Sequence, residues 1–128
     1  MGRPRLQVGA VTITSAPGRT RELADFYHRL LGWPIAHVGP KGGWAQLHPP
    51  EDEPGPTINI EEDRAYKRPV WPSRPGEQTA TMHLDIAVDD LDAAVAWAIQ
   101  SGATQAEHQP QQGVRVMLDP HGHPFCLS

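Results

Sequence analysis

Two stretches of this chain carry apolar residues at helical spacing, and each is framed by short segments in which apolar and polar positions alternate. Residues 6–15 are rich in Val, Ile and Thr and run into Ala16-Pro17-Gly18, which predicts a strand ending in a turn. From Thr20, read as an N-cap, Leu23, Phe26, Tyr27, Leu30 and Leu31 follow the i, i+3, i+4, i+7, i+8 pattern of one helix face, and Gly32 stops it. Three short strands are then expected over 33–38, 43–48 and 57–61, divided by Gly39-Pro40-Lys41-Gly42 and by the loop 49–56.

The second half repeats this order. Met82, Leu84, Ile86 and Val88 alternate with His83, Asp85 and Ala87, the period of a half-buried strand. Leu91, Ala94, Val95, Ala98 and Ile99 restate the helical spacing behind Asp89 or Asp90 as N-cap, with Gly102 as the stop. Strands over 103–108, 114–119 and 124–128 complete the unit, the last two joined by Pro120-His121-Gly122. Recurrence at an offset of roughly 70 residues predicts a duplicated βαβββ unit in an α+β fold. Unit one covers about 5–62, a Pro-rich linker 63–79, and unit two 80–128. Each helix should cover one face of a curved four-stranded mixed sheet, leaving the other face for a cup-shaped cleft.

Composition narrows the function classes. Eleven basic against fifteen acidic side chains give a net charge of −4, without the positive stripe that phosphate backbones require, so nucleic acid is not an expected partner. No apolar run approaches the roughly 18 residues of a membrane span, and no secretory signal is recognisable. The lone Cys126 has no partner for an internal disulfide, and a reducing cytoplasm is the expected location.

Three stretches carry a family likeness: Leu23-Ala24-Asp25-Phe26-Tyr27 with Leu30-Leu31-Gly32-Trp33, His83-Leu84-Asp85 with Val88-Asp89-Asp90-Leu91-Asp92-Ala93-Ala94, and Asp119-Pro120-His121-Gly122-His123-Pro124-Phe125-Cys126-Leu127. Together they resemble the glyoxalase/bleomycin resistance/extradiol dioxygenase (vicinal oxygen chelate) superfamily, in its glyoxalase-like branch. The resemblance implies a homodimer, and either a divalent metal or an organic ligand held in the cup, with activities ranging over lyases, isomerases, dioxygenases and drug-sequestering proteins. Fold alone therefore leaves function open.

The resemblance also places metal ligands at the start of each unit's first strand and on its last strand. Matching the halves puts Gly9 opposite His83 and Asn59 opposite Cys126. Glycine offers no side-chain donor and a carboxamide is a poor one, so no cofactor is expected; a divalent metal, if any, would rest on His83 with Cys126. The expected site is then an organic-ligand cup lined by Val11, Ile13, Trp44, Asn59, Trp71, His83, Asp85, Met117 and Cys126, taking a small, partly aromatic metabolite or antibiotic. His83 and Asp85, two apart on a strand, could instead act as an acid-base pair in an enzyme of the superfamily. His121 and His123 read as a solvent-facing pair on a hairpin, and Trp97, off the apolar stripe, as exposed or at an interface.

Overall fold

The computed structural model describes residues 2–128. The order of elements is β1 (Ala10–Ser15), α1 (Thr20–Leu31), β2 (Ile35–Val38), β3 (Trp44–Leu47), β4 (Thr57–Glu62), β5 (Leu84–Ile86), α2 (Leu91–Ser101), β6 (Thr104–Gln105), β7 (Arg115–Leu118) and β8 (Pro124–Leu127). This is the α+β arrangement expected of two βαβββ units: two mixed four-stranded sheets, ordered β1-β4-β3-β2 and β5-β8-β7-β6, with one helix in each repeat. In both, the first strand pairs in parallel with the fourth and the remaining pairings are antiparallel. The chain parts into compact units at Arg64/Ala65, which assigns the Pro-rich segment after Arg64 to the second unit.

In the first unit the helix supplies much of the core. Leu23, Ala24, Phe26 and Tyr27 are buried from α1, with Phe26 and Tyr27 meeting edge to face at 4.9 Å between centroids. They pack over Ala45, Leu47, Ile58 and Ile60, the alternate residues of β3 and β4. The helix begins without a side-chain cap: Arg19 occupies the N-cap position and Thr20 is the first helical residue. The expected capping role of Thr20 gives way to a buried hydroxyl pair with Ser15, 2.8 Å apart, which ties the end of β1 to the helix start. Gly32 closes α1 at φ 74°, a left-handed turn that glycine adopts without steric cost. The first strand is shorter than expected. Leu6 and Val8 lie outside it and are exposed, because β1 begins only where β4 offers a partner, at the Ala10–Thr57 pair.

The second unit has a thinner helix. Asp90 caps α2 by accepting the Ala93 amide at 3.1 Å, as the sequence predicts, yet only Ala98 and Ser101 are buried from it. Trp97 and Ile99 are half exposed. The expected stripe through Leu91, Ala94, Val95 and Ala98 extends to Ser101 rather than to Ile99, which falls at its margin. The core of this unit comes instead from the strands, with Val116, Met117, Phe125 and Leu127 buried.

Residues 65–80 are held to this unit by side chains. The Tyr66 hydroxyl donates to the His121 carbonyl, Arg68 donates to the Pro120 carbonyl at 3.0 Å, and the Trp71 indole donates to the His108 carbonyl at 3.2 Å. No helix among the described residues is long and apolar enough to cross a membrane.

Candidate functional site

Side chains on a strand point alternately to opposite faces, and directly paired residues on neighbouring strands share a face. In the first unit the odd residues of β3 and the even residues of β4, Ala45, Leu47, Ile58 and Ile60, belong to the helix side. The face away from α1 is therefore built from the other set. Register lays His37, Gln46, Asn59 and Thr12 in one row across β2, β3, β4 and β1, with Trp44, Glu61 and Thr14 in the next.

The members of the first row are already bonded to one another. Gln46 Nε2 donates to Asn59 Oδ1 at 2.8 Å, and His48 Nε2 lies 2.7 Å from Gln46 Oε1. A carboxamide oxygen only accepts, so His48 Nε2 is the donor in this contact. The His37 ring lies 6.5 Å from Trp44 in stacked orientation and 5.6 Å from His48, edge on. The result is a row of hydrogen-bonded amides and imidazoles with an aromatic margin. Of its members the sequence pointed to Trp44 and Asn59; His37, Gln46 and His48 escaped notice. The polar i, i+2 pair Gln46 and His48 was the available signal, but its meaning depended on a register with β4 that only the fold supplies.

In the second unit the corresponding face carries ionisable groups. Asp85 pairs with Cys126 across β5 and β8, and His83 stands two residues before Asp85. His83 Nε2 lies 3.3 Å from Asp85 Oδ1, and one ligand atom from each of His83, Asp85 and Cys126 falls within 4.8 Å of the others. Burial pushes the Cys126 thiol above its ordinary pKa, and the Asp85 carboxylate adds to this by its charge and by accepting a hydrogen bond from the S–H. Cys126 is thus a protonated, weakly nucleophilic thiol. As a metal site the cluster offers one nitrogen, one oxygen and one sulfur donor, a set suited to zinc or copper and poorly to magnesium or calcium. Asp85, expected in the organic-ligand cup and as an acid-base partner of His83, was not named from the sequence as a candidate metal donor beside His83 and Cys126.

Several expected site residues lie elsewhere. Val11 and Ile13 pair with buried Ile58 and Ile60, so they share the helix side of the first sheet and not the face of Asn59. Met117 is fully buried opposite Phe125, one position out of phase with the Val116–Cys126 pair. All three corrections have one cause: a one-residue step along a strand reverses the face. The same arithmetic revises the match between halves. If Asn59 is equated with Cys126, Thr12 corresponds to Asp85 and Ala10, not Gly9, to His83. Alanine supplies no donor either. Trp71 is bound to the 108 loop, its ring 6.2 Å from that of His108.

The turn between β7 and β8 is the other departure from expectation. His121 is buried rather than solvent-facing, and the carboxylate of fully buried Asp119 accepts from the backbone amides of His121 and His123 at 2.8 and 3.1 Å. It also meets His123 Nδ1 at 2.9 Å. Gly122 sits at φ 91° beneath the Arg68 side chain, where an added Cβ would lie 2.6 Å from Arg68 Cγ. These two histidines belong to a folded clasp.

Solved structures share the architecture. The chain is similar to a glyoxalase/bleomycin resistance protein/dioxygenase family enzyme from Burkholderia phytofirmans PsJN, with a TM-score of 0.70 at 18% identity over 95% of this chain and 97% of that one. It is similar to a glyoxalase-related enzyme from Fulvimarina pelagi, TM-score 0.64 at 16% identity over 94% and 86% of the two chains. It also resembles TnmS3, an antibiotic binding protein from Streptomyces sp. CB03234, TM-score 0.57 at 18% identity over 99% and 98%. Among curated proteins none matches. At these identities the structural likeness speaks for the fold, while the model of the glyoxalase-like domain matches residues 11–128, nearly the whole sequence. With its repeated βαβββ topology and that match, the chain belongs to the glyoxalase-like domain family.

Proposed function

We propose that this glyoxalase-like protein binds a small, partly aromatic organic molecule, a metabolite or an antibiotic, on the helix-free faces of its sheets and without a hard catalytic metal. The observation that carries the reading is the hydrogen-bonded chain His48–Gln46–Asn59. Its Asn59 carries a neutral amide where metal-dependent relatives would hold a last-strand ligand, and the chain lies beside the Trp44 and His37 rings. Such a surface suits a flat molecule with a few polar groups. The likeness to an antibiotic binding protein fits this reading. Native mass spectrometry of untagged protein, with metal analysis of the same sample, tests it. A co-purified organic mass with substoichiometric metal is expected; a full equivalent of metal and no organic binding would defeat it.

The second reading is an enzyme of the lyase, isomerase or dioxygenase type, and the observation favouring it is the His83, Asp85 and Cys126 cluster. These three residues would hold a borderline-soft ion, or His83 and Asp85 would act together as acid and base. Under this reading zinc is retained at one equivalent and lost in His83→Ala. Under both readings the protein is taken as a cytoplasmic homodimer, and the sheet-end strands β1, β2, β5 and β6 offer edges that association would cover. Light scattering gives the oligomeric state directly.

A further inference from the structure

The row beyond the amide chain has a chemistry of its own. Trp44 and Glu61 are directly paired on β3 and β4, and Thr14 is the residue of β1 paired with Glu61. Side chains so opposed stand with Cβ atoms about 5 Å apart. Trp44 is half-buried with the His37 ring alongside it, while Glu61 is exposed. Thr14 and Glu61 also line a cavity of about 530 Å³ with Glu62, Asp63 and Arg64, three carboxylates against one guanidinium. Of those carboxylates Glu62 is committed to the Gly18 amide at 3.0 Å. A half-buried indole, a carboxylate directly across the pleat, and a row of amides two residues along make three different demands on one ligand. The ring requires a planar π-system, the carboxylate a positive charge, and the Asn59 carboxamide a hydrogen-bonding edge.

We propose that this face of the first sheet binds a cationic, planar nitrogen aromatic, its ring on Trp44 and its charge against Glu61. The inference rests on the small-molecule reading above and narrows it to a charge class. An anionic ligand of the same shape meets the Glu61 carboxylate in place of a counter-charge and is rejected.

Three probes of one ring system separate the effects: 9-aminoacridine as the cation, acridine as its neutral analogue and acridine-9-carboxylate as the anion. Their affinities are measured by calorimetry on the full chain at pH 8 and low salt. The cation is expected to bind tightest and the anion weakest. Glu61→Gln, an exposed change that leaves the core intact, weakens the cation about threefold and leaves acridine unchanged. Trp44→Leu weakens all three probes by about tenfold. Glu107→Gln, in the second unit, is expected to change nothing. The proposal is overturned if the anion binds as tightly as the cation, or if Glu107→Gln weakens the cation as much as Glu61→Gln. If none of the probes binds while another organic molecule does, the charge class is wrong and the small-molecule reading stands. If no organic molecule binds and a metal is held stoichiometrically, both fall.

Discussion

The two units share strand order, pairing sense and register, yet they bury their cores differently and present different side-chain clusters on their helix-free faces. The first relies on a helix that inserts Leu23, Phe26 and Tyr27 over its sheet; the second buries little more than Ala98 and Ser101 from its helix and depends on Met117, Phe125 and Leu127. On the open faces, the linked side chains of Asn59, Gln46 and His48 stand against the His83, Asp85 and Cys126 cluster. Topology is therefore set by where apolar residues recur, whereas the chemistry of a site depends on the alternate positions, which the fold leaves unconstrained.

The contrast between helices can be broken by substitution. Phe26→Ala should cost about 3–5 kcal/mol in denaturant unfolding, the usual penalty for emptying a large core site, while Ile99→Ala on α2 should stay within about 0.5 kcal/mol. Equal losses would show that α2 carries as much packing as α1. Next in size is the clasp confined to the second unit. Asp119→Ala deprives two backbone amides and His123 of their acceptor, and a loss of about 2–3 kcal/mol is expected by the same measurement. A neutral result there would mean that the buried carboxylate is dispensable. The caps should differ more modestly. Asp90→Ala removes a side-chain cap and should lower stability by about 1 kcal/mol, whereas Arg19→Ala removes no side-chain cap.

The gentlest probe concerns Cys126. Its raised pKa predicts that alkylation by iodoacetamide titrates above the range of a free thiol, and that Asp85→Asn moves the midpoint down without restoring it, because burial remains the larger cause. The sign for stability follows. A thiol whose folded pKa is raised lends stability below the unfolded value, and that contribution disappears as pH rises through the folded one. An Asp85→Asn midpoint unchanged from wild type would remove the carboxylate from the account.

The sequence showed most of the fold, since α1, α2 and the order of strands follow from local periodicity and glycine stops. It showed less of the site. Val11, Ile13 and Met117 were placed among the open-face residues because their composition suited a pocket, although strand parity assigns them to the buried side. The Gln46–Asn59 contact spans thirteen residues and the Tyr66–His121 contact fifty-five, so no local pattern could announce either. Buried His121 looked like ordinary turn chemistry until Tyr66 and Arg68 were found against the turn.

The alternation along β4 and β8 has a consequence for how such proteins diversify. Ile58 and Ile60, or Phe125 and Leu127, answer to the helix side, while Asn59 and Cys126 between them answer only to whatever meets the opposite side. If the open faces bind ligands as proposed, exchanging either intervening residue would alter ligand preference while leaving the apolar side of the strand intact.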